Sequence, residues 1–170
     1  MIRFYDIDQD YVNYLKTIDR QIPNIHYSSN NKFVCGIVLD INDVRFYAPI
    51  SHNTQKFQTS MIIYDGMKPM SSIRFSFMLP ATEDVLTVKD FKEIAKIDQH
   101  YADVLAAEYK FCVRYEDAIR KKALAVYNIG CNKNHRLNFT CCDFKKLEEK
   151  YLLYKKEDVK LDYKEQDTSE

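Results

Sequence analysis

At 170 residues the chain suits one domain with a tail, long enough to bury roughly 70% of its unfolded surface without help from a disulfide or a metal. Its 25 Lys and Arg balance its 25 Asp and Glu, which excludes a polybasic protein held to nucleic acid by overall charge, and 46% hydrophobic residues exclude a disordered chain. The three glycines, Gly36, Gly66 and Gly130, stand apart, so there is no glycine-rich phosphate loop or dinucleotide fingerprint. Five cysteines, an odd count without C-x-x-C spacing, point to reduced thiols in the cytoplasm, with Cys35 and Cys112 as core filling. No apolar run approaches the ~20 residues of a membrane span, and the start, Met1 to Asp6, lacks the features of a signal peptide.

The first half reads as strands. Ile2 to Ile7 alternates as a short strand, and Asp8 caps a helix with Tyr11, Tyr14, Leu15 and Ile18 at helical spacing. Pro23 closes that helix, and a polar loop runs through Ser28 to Asn31. Phe33 to Ile41 and Val44 to Ile50 form a hairpin about an Asn42-Asp43 turn. Met61 to Tyr64 is a third strand after the hairpin begins, broken by Asp65-Gly66. Ser72 to Leu79 follows, with Ile73, Phe75, Phe77 and Leu79 on one face and Pro80 as its stop.

The second half reads as helices. Thr87 is placed as the cap of a short helix from Val88 to Ile97. Asp98 caps a long one whose stripe takes in Ala102, Leu105, Ala106, Tyr109, Val113 and Ile119, and Asn128-Ile129-Gly130 ends it. Asp143 caps a last helix with Phe144, Leu147, Tyr151 and Tyr154 on one stripe. Strands first and helices later indicate an α+β domain with an antiparallel sheet over residues 1–156, followed by a charged C-terminal tail at 157–170.

Metal chemistry finds little footing. Asp6, Asp8 and Asp10 open like a calcium loop, but Tyr11 and Thr17 stand where Gly and Glu are required. The four histidines never pair at helical spacing. The segment from Ala48 to Lys56 is richer, because a strand ends at proline and hands over to Ser51, His52, Thr54 and Lys56. There is no G-x-S-x-G elbow for a hydrolase. RNA cleavage by the ribose 2′-oxygen needs a proton acceptor, a proton donor and cations for the phosphorane, and these side chains suit those tasks without a metal. The plain alternative is a polar turn. Charge is also unevenly spread: Lys110, Arg114, Arg120, Lys121, Lys122, Lys133 and Arg136 face only Glu116 and Asp117 over that stretch, a surplus of five. Such a run is either a solvated face or a phosphate-binding surface.

The order and spacing of several segments resemble the toxins of type III toxin–antitoxin systems, the ToxN/AbiQ/CptN endoribonucleases, and most closely their CptN members. They are Arg3-Phe4-Tyr5 followed by Tyr11 to Lys16, Lys32 to Leu39, Phe46 to Ser51, Ile73 to Pro80, Tyr109-Lys110 with Arg114, and Leu147 to Tyr151. The resemblance implies a strongly bent antiparallel β-sheet flanked by helices, as in MazF-like toxins. It implies a metal-independent endoribonuclease with no cofactor, leaving a 2′,3′-cyclic phosphate and a 5′-hydroxyl on cellular or phage RNA. It further implies inhibition by a small structured antitoxin RNA of pseudoknot type, cut from a repeat transcript and held in a closed protein–RNA hetero-oligomer with no membrane involved.

By the same resemblance, active-site positions fall on Tyr11, Lys32 and Ser51, with His52 and Lys56 beside Ser51. The family's toxins can show a Thr-Ser pair followed closely by Lys. Here Ser51-His52 precedes a lysine only at Lys56, which leaves the general acid and base open. Tyr11 also fits a core aromatic by its periodicity, and Lys32 a solvated loop charge. The rival readings are a non-catalytic RNA-binding module of the same fold and a protein-interaction domain.

Overall fold

The computed structural model describes residues 1–25 and 33–156. The polar loop expected at Ser28 to Asn31, Lys32 and the tail at 157–170 lie outside the described residues. The expected α+β architecture is present, with seven strands and five α-helices among the described residues. The strands are β1 (Arg3–Ile7), β2 (Val34–Ile41), β3 (Val44–Ser51), β4 (Ser60–Asp65), β5 (Lys68–Arg74), β6 (Leu79–Pro80) and β7 (Leu86–Val88). They form one antiparallel sheet in the order β4-β5-β3-β2-β1-β7, with β6 also paired to β3. The helices are α1 (Gln9–Ile18), α2 (Phe91–Ile97), α3 (Gln99–Arg114), α4 (Glu116–Cys131) and α5 (Phe144–Lys150).

Local chemistry sets many of the boundaries. Asp8 caps α1 by accepting from the Asp10 and Tyr11 amides. Asn42 and Asp43 take φ of 53° and 60°, the left-handed pair that a two-residue hairpin between β2 and β3 requires, and these are residue types that tolerate it. Asp143 caps α5 through the Lys146 amide, as the spacing predicted.

Three expected elements differ. The strand read from Ser72 to Leu79 is two strands separated by a 3-10 turn at Phe75–Phe77. The cause is the register on β3. Ile50 pairs with Ile73 and Tyr47 with Leu79, so three steps back along β3 meet six steps forward along the chain, and the turn absorbs the three extra residues. Pro49, which has no amide to offer, sits on β3 where the pairing changes hands. Second, Thr87 is not a cap but a strand residue paired with Asp6, and α2 begins later, capped by Asp90. Third, the long helix is two. Tyr115, at φ −109° and ψ 23°, separates α3 from α4, and Val113 is exposed rather than part of the stripe. Gly130 does not stop α4. It lies within the last turn because a Cβ there would stand 2.4 Å from the Phe144 ring, so only glycine lets α4 approach α5 so closely.

A single core fills the space between sheet and helices, with Phe4, Tyr11, Phe46, Phe75, Phe144, Leu105 and Leu79 among its fully buried members. Among the described residues no helix is long and apolar enough to cross a membrane.

Candidate active site

β3 ends at Ser51, and β5 passes beside it with Ser72 directly opposite. Residues opposite each other in a sheet share a face, and so do residues two apart on one strand. Ser51, Ser72 and Arg74 therefore line one face of the sheet end. The Arg74 guanidinium lies 4.7 Å from the Phe57 ring centroid and 5.4 Å from that of Phe77, a cation–π pair of contacts. Burial lowers the pKa of this half-covered guanidinium, which stays charged at any working pH.

The loop leaving Ser51 is held at several points. Ser72 Oγ donates to the Asn53 carbonyl at 2.6 Å, and the Asn53 amide donates to Ser51 Oγ at 3.3 Å. The Gln55 amide donates to Asn53 Oδ1 at 2.9 Å, and the Phe57 amide donates to Ser60 Oγ at 3.3 Å. Arg136 reaches over from the segment after α4 to donate to Gln58 Oε1 at 2.9 Å. His52 and Lys56 sit exposed on this loop, and Lys56 has no ion-pair partner among the described residues. The structure places Ser51 at the strand end with His52 and Lys56 on the exposed loop that follows, and adds Arg74, which the sequence pattern had hidden inside an apolar alternation. Arg136, expected in the basic stretch, also belongs beside this loop.

Tyr11 lies elsewhere. It is buried in the core, its hydroxyl donates to the Pro80 carbonyl at 2.6 Å, and burial pushes its pKa far up. Pro80 pairs with Phe46, five residues and so about 16 Å along β3 from Ser51. The structure does not join Tyr11 to the Ser51 cluster.

The basic stretch is divided by the fold. Lys110 and Arg114, one helical turn apart on α3, border a shallow groove with Tyr64, Phe111 and Tyr115. Phe111 and Tyr115 are 4.5 Å apart between centroids, and the Arg114 guanidinium is 5.5 Å from the Tyr115 ring. Arg120 is committed to Glu116, donating at 2.7 and 3.1 Å to one carboxylate oxygen. Lys121 is exposed and Lys122 half-buried on α4. Lys133 lines a separate groove with Arg20, Lys145 and Lys146. No three His, Cys, Asp or Glu side chains among the described residues come together as metal ligands.

The antiparallel sheet with helices packed against it is the fold of solved bacterial toxins, as two structural comparisons show. A solved structure described as selective toxin inhibition by a non-coding RNA pseudoknot superposes with a TM-score of 0.83 at 25% identity, covering 91% of this chain and 98% of that one. A second, described as a processed non-coding RNA regulating a bacterial antiviral system, superposes at 0.78 with 27% identity, covering 91% and 99%. Residues 3–152 match the family model for the toxin ToxN of type III toxin–antitoxin systems, and the chain belongs to that family. Among curated relatives, the Endoribonuclease ToxN of Bacillus thuringiensis subsp. kurstaki is 27% identical over 166 residues, covering 92% of this chain and 86% of the relative.

Proposed function

We propose that this ToxN-family endoribonuclease cuts RNA at the end of β3 by attack of a ribose 2′-oxygen on the adjacent phosphorus. The observation that carries this reading is the convergence of Ser51 and Arg74 on one sheet face, with His52 and Lys56 on the loop that Ser72 anchors. The 2′-hydroxyl loses its proton, its oxygen bonds to phosphorus, the bond to the 5′-oxygen breaks, and that oxygen takes up a proton. Arg74 and Ser51 donate to the phosphorane oxygens, where charge accumulates. His52 and Lys56 carry the protons, together with Lys32 by family resemblance. The products are a 2′,3′-cyclic phosphate and a 5′-hydroxyl. No step uses a metal, so cleavage persists in excess EDTA and the 3′ fragments accept label from polynucleotide kinase without prior dephosphorylation. Loss of cleavage on chelation, with recovery on adding magnesium, would refute this mechanism.

The same reading makes a folded repeat RNA both a product of this toxin and its inhibitor, in a closed protein–RNA assembly in the cytoplasm that defends against phage. A chain of zero net charge holds RNA only through local basic surface. The groove of Lys110, Arg114 and the Phe111–Tyr115 pair offers cations beside rings on which a base can stack. The double variant Lys110→Ala/Arg114→Ala weakens binding of the antitoxin repeat and lowers the slope of log affinity against log salt by about one unit per lost phosphate contact. Binding titrations at several salt concentrations read this directly. An unchanged slope would assign the groove to solvent.

A further inference from the structure

The loop leaving β3 carries an aromatic ring that no step of the cleavage uses. Phe57, 38% exposed, is one of two phenylalanines among the described residues that stand open to solvent. The other, Phe139, lies beside Lys133 in a separate groove. Phe57 is nevertheless fixed at both backbone and side chain. Its amide donates to Ser60 Oγ at 3.3 Å, and that hydroxyl donates to the Phe57 carbonyl at 3.3 Å. The Ser60 amide donates to the same carbonyl at 3.2 Å. The next residue, Gln58, is held by Arg136. The ring itself meets the Arg74 guanidinium.

These anchors lie on the face that carries Ser51. Ser72 is opposite Ser51, Arg74 follows Ser72 by two residues, and Ser60 is opposite Arg74, so all four share one face. Ser51 and Arg74 are diagonal neighbours in that pairing, about 7–8 Å apart between backbones and within the reach of one nucleotide. The loop leaves this face at Ser51 and returns to it at Ser60, with Phe57 standing over Arg74. The guanidinium lies against both Phe57 and Phe77, and no carboxylate among the described residues pairs with it. A guanidinium packed on a ring face uses no N–H donor in that contact, so it can serve a phosphate oxygen while it supports the ring.

We infer that Phe57 is a specificity-determining residue for cleavage: its open face stacks the base of a nucleotide flanking the scissile phosphate, and Arg74 behind the ring holds an oxygen of that phosphate. An unpaired base presents a flat apolar surface, which an aromatic side chain covers. A ring already fixed by Ser60 and Arg74 loses little freedom when the base arrives, and this favours binding. Stacking tolerates any base, so Phe57 selects an unpaired nucleotide at that position rather than a particular sequence. This inference rests on the reading that the end of β3 is the cleavage site.

The test uses the full chain and a short single-stranded RNA spanning one mapped cut. It adds abasic versions of that RNA, in which one nucleotide on either side of the cut lacks its base but keeps its ribose hydroxyl and phosphates. With the parent, one abasic position is expected to lower kcat/KM about 10-fold or more, the loss of one base–ring stack. Phe57→Leu keeps apolar cover over Arg74 but offers no ring. It is expected to cut the intact RNA about 10-fold less efficiently, mainly through KM, with no further loss at that abasic position. Phe57→Met, unbranched and equally apolar, repeats the measurement should the branched side chain disturb the loop. Phe57→Tyr keeps a ring and is expected to keep the full abasic penalty. A Phe57 needed only to seat Arg74 gives a different pattern: Phe57→Leu and Phe57→Met slow intact and abasic RNA alike, and the penalty stays. That result overturns the stacking role and leaves the site reading in place, as does a parent that cuts every abasic RNA at full efficiency. If Ser51→Ala cleaves at the parent rate, the site reading fails and this inference fails with it.

Discussion

Ser51→Ala is expected to reduce RNA cleavage by about 10²–10³-fold, the usual cost of removing one donor to developing negative charge. The fold should be untouched. Ser51 closes β3 with its hydroxyl at the sheet end, only accepting a 3.3 Å bond from the next-but-one amide. The backbone pairing with Ser72 survives the change, because it uses no side-chain atom. Single-turnover cleavage of a short oligonucleotide, set beside circular dichroism and a melt, separates chemistry from folding. A variant that is folded and cuts at the parent rate would move the site away from this strand end.

Phe144→Ala is expected to cost about 3–5 kcal/mol of folding stability, the range for deleting a buried aromatic. Its ring is completely buried, stacked on Tyr127 at 5.7 Å and edge-on to Phe46 at 5.9 Å. It also fills the hollow that Gly130 leaves in α4. Losing it therefore opens a cavity between α4, α5 and β3, where relaxation is blocked by close-packed neighbours. Tyr127 cannot swing into the space, since its hydroxyl is bonded by Lys145 at 2.7 Å and donates to Glu148. Urea unfolding at constant m-value measures the loss. A cost below about 1 kcal/mol would mean the three elements collapse onto one another, contrary to the packing described.

The sequence disclosed those features whose causes lie within a few residues. Asp8, Asp98 and Asp143 all cap helices as their spacing indicated, and Asn42-Asp43 makes the turn expected of it. Ser51, His52 and Lys56 could be picked out as candidates because they lie close together along the chain. Where the cause is distant, the pattern misled. The run from Ser72 to Leu79 alternates like one strand, and only the two partners it meets on β3 break it. Thr87 has the chemistry of a cap, but pairing with Asp6 of β1 takes it into the sheet. Arg74 carried no local signal, because a charged residue inside an apolar pattern reads as a solvent-facing position until its neighbours are known. Arg120 was expected in the phosphate-binding stretch, but Glu116, four residues earlier on the same helix, holds it. Tyr11 shows the two sources of expectation parting: its periodicity indicated the core, where it lies, while the family resemblance had pointed to the active site.

The shift of register at Pro49 divides one edge of β3 into two landings of unequal depth. The inner landing seats β6 among buried residues, and the outer one seats β5 through Ile50 and Ser51. The β4–β5 hairpin is joined to the rest of the sheet by those two rungs, and one of them is the proposed catalytic serine. The inner end of that hairpin is tied into the core by Ile63 and Ile73, while its tip at Asp65 to Lys68 is exposed. Its far end, at Asp65 to Lys68, can lengthen, shorten or change charge without altering the pairing that keeps the domain folded. In a toxin built this way the tip that borders the Lys110–Arg114 groove varies independently of the strand end that carries Ser51.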